Sequence, residues 1–266
     1  MENQKKTVLI TGGTEGIGYE LARLFAKDNY RLILVSRSQD KLETTARSLK
    51  TEFRAEVETI SKDLKDHDSC KQLYDEVKGM AGNIDVLVNN VGQGEYGKFL
   101  DNDVDRELEI IHLNIGSYVI LTKYFLKDMV ARNSGKILNV GSIAGETPGP
   151  WQAVYHGTKA FINSFTEAVN NEVKDTNVTL TLLRPGATDT EFFDKADMED
   201  AKMVKEGKLA DPAKVAQDGY DALMAGKHSI TSGLMNKIMV GAANVLPDDM
   251  AAESMAKQQR PKKDDE

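Results

Sequence analysis

The sequence predicts an α/β fold: a doubly wound parallel sheet, helices on both faces, in a single domain. Three observations predict it. Short β-branched runs recur at βαβ spacing, at Thr7–Thr11, Arg31–Val35, Glu56–Ile60, Val86–Asn89, Lys136–Val140 and Val178–Leu183. Most are apolar through their centres, as strands covered on both faces must be. Helical patterns separate them; after the first strand Ile17, Leu21, Leu24 and Phe25 fall at i, i+4, i+7 and i+8, one buried stripe. With right-handed crossovers, this order leaves a ligand crevice at the carboxyl ends of the strands.

The first strand leads into "TGGTEGIG" and an amphipathic helix. Gly12 permits the tight turn, Gly16 lets the backbone approach a pyrophosphate, and Gly18 lets the helix pack closely on the sheet. The free N–H groups of the helix start then face the anion, with Thr14 and Ile17 in the same loop. An ordinary strand–helix turn needs one glycine, not three. The second strand ends at Ser36 and Arg37, where an acid that would bind a ribose diol is missing. The third ends at Asp63-Leu64, where the carboxylate can accept from an adenine amino group or simply cap a helix. The fourth ends in "NNVG", placing Asn90, Val91 and Gly92 at the crevice mouth; alone, these are also ordinary turn residues.

Further along, Asn114 stands in "EIIHLNIGSYVIL", a poor helix-interior residue. Ser142 ends the fifth strand in "NVGSIAG", and "VYHGTKAF" sets Tyr155 one helical turn ahead of Lys159. The sixth strand is followed by Arg184, Pro185 and Gly186, with Thr188 and Thr190 just beyond. There the alternation stops. Residues of about 187–210, acidic and lysine-rich with Phe192, Phe193, Met198 and Met203, read as a lid, and a last helix and strand follow. The division expected is a dinucleotide-binding domain over 1–233 and an extension over 234–266. In the extension Leu234, Met235, Ile238, Met239, Ala242, Val245 and Leu246 form a helical stripe, and a charged, loose tail begins at Gln258.

Composition narrows the function. The chain has 266 residues, 40% of them hydrophobic, enough for one well-cored domain. A net charge of −8 disfavours nucleic acid and anionic membrane as main partners. The single cysteine, Cys70, cannot close an internal disulfide, and four scattered histidines show no metal cluster. No run reaches the roughly 20 apolar residues of a membrane span, and no signal peptide is read, so a cytoplasmic location is expected.

Taken together, these segments resemble the short-chain dehydrogenase/reductase family in its compact form. Thr11-Gly12-x-x-x-Gly16-Ile17-Gly18 matches its glycine motif, and Asn89-Asn90-Val91-Gly92 its Asn-Asn-Ala-Gly turn, with valine for alanine. Asn114, Ser142, Tyr155 and Lys159 match its catalytic four, the serine thirteen residues before the tyrosine. Arg184-Pro185-Gly186 with Thr188 and Thr190 matches the segment that closes over the nicotinamide. The resemblance implies a Rossmann-type sheet, a nicotinamide cofactor, and hydride transfer between that cofactor and a carbonyl or secondary alcohol. It gives Lys159 a bond to the nicotinamide ribose, and Asn114 a water linking Lys159 to solvent. The ending "ITSGLMNKIMVGAANVLPDDM" departs from the glycine pair usual in the ketoreductases of fatty-acid synthesis, so the substrate stays open.

On a helix, Tyr155 and Lys159 share a face. The lysine cation and the oxidised nicotinamide would favour phenolate, and bringing the tyrosine from about 10 to near 7 takes about 4 kcal/mol. Tyr155 then serves as general acid/base, with Ser142 holding the reacting oxygen. Arg37, beside a serine in place of an acid, points to NADP(H), against which Glu15 in the glycine loop would pull. Gly94, Tyr96, Trp151, Phe192 and Phe193 are expected to wall a lipophilic substrate pocket, the phenylalanines alternatively being plain core. A non-catalytic NADP(H)-binding regulator, a 3-oxoacyl thioester reductase, and an epimerase or dehydratase are the competing readings. The 234–246 stripe is expected to cover the substrate entrance or a subunit interface, making a homo-oligomer (dimer or tetramer), or else to pack on its own domain.

Overall fold

The computed structural model describes residues 5–243 and 246–261, apart from the side chains of Met203 and Glu206. Val245 of the apolar stripe, the Met203 side chain of the lid and residues 262–266 of the expected tail lie outside the described residues. Seven parallel strands form one sheet: β1 (Thr7–Thr11), β2 (Arg31–Ser36), β3 (Val57–Ser61), β4 (Val86–Asn89), β5 (Gly135–Val140), β6 (Val178–Arg184) and β7 (Ser229–Thr231). Their order is β3-β2-β1-β4-β5-β6-β7, so the winding reverses between β1 and β4. The strand ends there diverge and leave the crevice that such a sheet offers a ligand.

Alternation of side chains feeds both faces of the sheet. Val8, Ile10, Leu32 and Leu34 pack on one side, with Leu21 and Phe25 of α1 (Gly16–Lys27) and Leu42 of α2 (Gln39–Phe53). Leu9, Ile33, Val35 and Leu87 pack on the other, with Leu73 of α3 (His67–Ala81) and Leu121 of the long helical segment Val104–Ala131. That segment is α4 (Val104–Ile111) and α5 (Ser117–Ala131), joined through one π-helical turn, His112–Gly116, which contains Asn114. Polar groups in the sheet are paired across it. Asn89 Nδ2 donates to Asn139 Oδ1 at 2.9 Å, and Asn139 Nδ2 to Thr166 Oγ1 at 3.0 Å. The ladder ties neighbouring β4 and β5 to α6 (Ala153–Glu172), the helix that carries Tyr155 and Lys159.

The segment expected as a lid is pinched off at its base. Ala210 N donates to Ala187 O and Asp189 N to Ala210 O, each at 2.9 Å. Within it α7 (Phe192–Lys195) and α8 (Lys202–Glu206) surround a small core of Phe193, Ala196, Met198 and Ala201. For Phe193 and Met198 the plain-core alternative therefore holds in large part. After α9 (Pro212–Met224) and β7 come α10 (Leu234–Ala243) and α11 (Asp248–Gln259). Here the expectation of a loose tail from Gln258 is corrected: Gln259 ends α11 at 2% exposure, because its amide and carbonyl find partners in the body of the fold. Charge along the sequence hid a residue whose bonds are tertiary.

A Cβ on Gly18 would collide with the carbonyl oxygen of Gly12 and with the Asn90 amide, so α1 rests on the glycine turn with no space between them. Gly79, inside α3, has nothing within 4 Å of the same point. Gly18→Ala should lower the unfolding free energy by about 1–3 kcal/mol through overpacking. Gly79→Ala should leave it unchanged or raise it by up to about 1 kcal/mol through helix propensity. Urea midpoints at constant slope measure both.

Candidate functional site

At the switch in strand order the turn after β1 is built by side chains from β4. Thr11 Oγ1 accepts from the backbone N–H of Asn90 (3.0 Å) and Val91 (3.3 Å), and Asn90 Nδ2 donates to the carbonyls of Thr11 (3.1 Å) and Gly12 (3.0 Å). The Asn90 side chain is thus spent on the glycine turn, and its backbone faces the cleft. Gly12 has φ +66°, a conformation that favours glycine. From this turn a cleft of about 700 Å³ runs past Ser36, Arg37, Asp63, Leu64 and Gly92 to Ser142, Tyr155 and Lys159. Pro185, Gly186, Thr188, Thr190 and Phe192 close over it. Thr14, Gly16 and Ile17 line it as expected. Gly18 does not; its role is the packing contact beneath the turn.

Ser142, Tyr155 and Lys159 meet where β5 and α6 converge. Ser142 follows β5, and its position is fixed by Asn163 Nδ2, which donates to its carbonyl at 3.0 Å and to Glu146 Oε1 at 2.8 Å. Arg184 Nη1 completes this support with a bond to Glu146 Oε1 at 3.1 Å. Lys159 is buried, its Nζ donating to the Val140 carbonyl at 3.0 Å, 5.8 Å from the centre of the Tyr155 ring. Asn114 lies behind the cleft rather than on it. Its Nδ2 donates to Gln93 O (2.8 Å) and Thr158 Oγ1 (3.0 Å), and its Oδ1 accepts from Gln93 N (3.0 Å). The π turn aims this amide at the strand-end loop and fixes the floor of the site.

Electrostatics here differ from the simple expectation of a lowered phenol. Burial raises the Tyr155 phenol to about 12, opposed by its hydrogen bond with Ser142, and burial lowers the Lys159 ammonium to about 8. At neutral pH the protein alone holds Tyr155 as a proton donor. The reason is that the ammonium faces the ring and the Val140 carbonyl rather than the phenol oxygen, so desolvation outweighs charge–charge attraction.

The walls also need correction. Phe192 does line the cleft, its ring 5.0 Å from that of Tyr155, and Phe193 stands behind it. Tyr96 and Trp151 stack on each other at 5.7 Å outside the cleft, the Tyr96 hydroxyl donating to Gln259 O. Gly94 lies under Phe192 and Gln152, where a Cβ would meet Phe192 Cζ at 2.8 Å. Met239, in the stripe expected at the substrate entrance, takes one of the vacated places, beside Gln152, Val240, Met255 and Gln259, which the sequence reading missed. No spacing rule links the last helix to α6, so no local signal marked them. Glu15, expected to repel a phosphate, is instead engaged. Lys41 bridges Glu15 and Glu191 at 2.8 Å each, and Lys195 pairs with both carboxylates, 3.2 Å from Glu191. Glu15 therefore clasps lid to loop, whereas Arg37 is exposed on the cleft with no side-chain ion pair among the described residues. Among the described residues no group of side chains could hold a metal ion, and no helix is long and apolar enough to cross a membrane.

A family model described as short chain dehydrogenase matches residues 6–201. The very-long-chain 3-oxoacyl-CoA reductase of Rattus norvegicus is 38% identical over 179 residues, which is 64% of this chain and 55% of the relative. The chain thus spans about half the length of the curated relatives it matches. The alcohol dehydrogenase of the archaeon Thermococcus sibiricus, complexed with 5-hydroxy-NADP, is 26% identical, with a TM-score of 0.75 over 86% of this chain and 96% of that one. A short-chain dehydrogenase from Sphingobium yanoikuyae in complex with NADPH shares the fold at 24% identity, with a TM-score of 0.79 over 94% and 99% of the two chains. Both of these solved structures hold a nicotinamide cofactor or a derivative of one.

The state of Tyr155 can be read without turnover. Because its phenol lies near 12, ionisation absorbance at 295 nm should not differ between the unaltered chain and Tyr155→Phe from pH 7 to 10. A difference that appears below pH 10 would show the phenol lowered by the protein itself.

Proposed function

The chain belongs to the short-chain dehydrogenase family, and on that premise we propose that it is an oxidoreductase transferring hydride between NADP(H) and a carbonyl or secondary alcohol compound. One observation carries the reading. A proton donor, Tyr155, and a hydroxyl, Ser142, converge at the far end of a cleft that begins in a helix-start glycine turn. NADPH supplies a hydride when bound; everything else falls to the chain. The start of α1 and the glycine turn receive the pyrophosphate, and Lys159 the nicotinamide ribose. Ser142 donates to the carbonyl oxygen as negative charge develops on it. Tyr155 delivers its proton to that same oxygen, which a phenol held protonated at neutral pH is suited to do. Lys159, near 8, carries a charge over most of the physiological range and steadies the phenolate left behind.

Arg37 supports NADP(H) over NAD(H): a guanidinium with no competing ion pair among the described residues, where a ribose-binding acid would otherwise stand, offers forked donors to a 2′-phosphate. The substrate suggested by the Phe192, Met239 and Met255 lining is lipophilic. Relatives named as 3-oxoacyl-CoA reductases favour, as a second reading, a 3-oxoacyl thioester as the carbonyl compound. Leu234, Met235 and Ile238, exposed on the outer face of α10, are our choice for a subunit contact, which light scattering of an Ile238→Lys variant tests.

A panel of ketones, 3-oxoacyl thioesters and alcohols, read by nicotinamide absorbance, tests the reaction. Tyr155→Phe should cut kcat by about 10²–10⁴ with little change in cofactor affinity. Arg37→Ala should raise KM for NADPH about tenfold or more and leave that for NADH nearly unchanged. Equal or higher kcat/KM with NADH in the unaltered chain would overturn the cofactor assignment. The rate of reduction should be flat below about pH 8 and fall above it as Lys159 loses its charge; a profile flat to pH 10 contradicts that role.

A further inference from the structure

The substrate end of the cleft is closed by residues beyond the family-matched segment. Met239, Val240 and Ala243 of α10 and Met255, Gln258 and Gln259 of α11 all line it. What holds α11 there is the end of the helix. The Gln259 backbone carbonyl accepts from the Tyr96 hydroxyl, and its amide Nε2 donates to His156 Nε2 at 3.0 Å and toward Gln152 Oε1 at 3.5 Å. Just beyond, Arg260 O accepts from Lys202 N at 3.3 Å, and Pro261 bridges Ala201 in the lid. One short stretch therefore touches the loop after β4, the first turn of α6 and the start of α8 in the lid.

The chemistry of His156 suits this arrangement. Its Nδ1 lies 2.9 Å from Thr147 O, so the proton sits on Nδ1 and Nε2 is left to accept from Gln259. Burial lowers its pKa and keeps the ring neutral, as an acceptor must be. His156 is the immediate neighbour of Tyr155, and Gln152 begins the same helix. An amide at 2% exposure is retained only where it is paired. Among the described residues, Gln152 Nε2 and Gln259 Oε1 keep no partner. The contact thus holds fewer bonds than its amides can make.

We propose that Gln259 is a specificity-determining residue: by latching α11 to Tyr96, Gln152 and His156 it sets the outer wall against which an apolar ketone packs. This rests on the carbonyl-reductase reading above. Trp151, the chain's only tryptophan, stacks on Tyr96 and reports on the latch directly. The test uses the full chain, 4-nonanone and NADPH. Gln259→Ala should raise KM for 4-nonanone about tenfold, the loss expected for a buried hydrogen-bonded wall residue. It should leave KM for NADPH within about twofold, and shift Trp151 emission to the red. Tyr96→Phe, which removes one hydroxyl and no bulk, should act in the same direction to a smaller extent, and it decides the matter where Gln259→Ala does not fold. Unchanged ketone KM and emission, or ketone and NADPH KM rising together, would overturn the proposal. If the unaltered chain turns over no ketone, the reading of the reaction fails by itself. Titration of Trp151 emission with 4-nonanone then decides the latch: a Kd weakened about tenfold in Gln259→Ala supports it, and an unchanged Kd or no binding overturns it.

Discussion

The ammonium of Lys159 lies buried under the cleft with, among the described residues, one acceptor, the Val140 carbonyl at 3.0 Å, and no salt-bridged carboxylate. The rings of Tyr118 and Tyr155 stand 5.9 and 5.8 Å from it, close enough for weak attraction to their faces. Taking such a charge out of water is costly, and its lowered pKa records that cost. A fold keeps a group of this kind where a ligand recovers the lost solvation. With a cofactor bound as proposed, ribose hydroxyls and pyrophosphate along the same cleft would lower that cost.

The surrounding polar framework is arranged to hold that ammonium and the phenol beside it. Asn114 fixes the loop after β4 through both atoms of Gln93, and Thr158 ties the same amide to α6. Asn163, Glu146 and Arg184 fix the Ser142 turn from the other side. Thr11 and Asn90 join the glycine turn to β4. All three devices sit at carboxyl ends of strands, where the backbone leaves the sheet and has groups to satisfy. The cleft is thus braced from beneath by paired polar groups, and lid and last helix meet above it.

The sheet was legible because most of its strands are short runs with apolar centres, and periodicity needs no tertiary information. Helix spacing put Tyr155 and Lys159 on one face, and the resemblance to the family's catalytic pattern singled them out together with Ser142. Gln152 and Gln259 were not legible, since 107 residues separate two amides whose significance is their contact. Nor was the fate of Glu15, whose charge is met by Lys41 from α2 and Lys195 from the lid. Tyr96 and Trp151 were read as walls from their type; in the fold they support α11 from outside. In the chain alone the Tyr155 phenol lies above the value expected beside Lys159 and an oxidised nicotinamide for a physical reason: sequence shows which charges are near, while burial, which here outweighs them, depends on the whole fold.

The central claim is that a hydride passes to a carbonyl carbon held by Ser142 and Tyr155. The most direct measurement is mass spectrometry of the alcohol formed from a turned-over ketone with NADPH deuterated at the transferable position. One deuterium on the carbinol carbon, with the hydroxyl proton exchanging with solvent, is the predicted result. An alcohol without carbon-bound deuterium, or cofactor binding with no alcohol formed from any carbonyl compound, would contradict it.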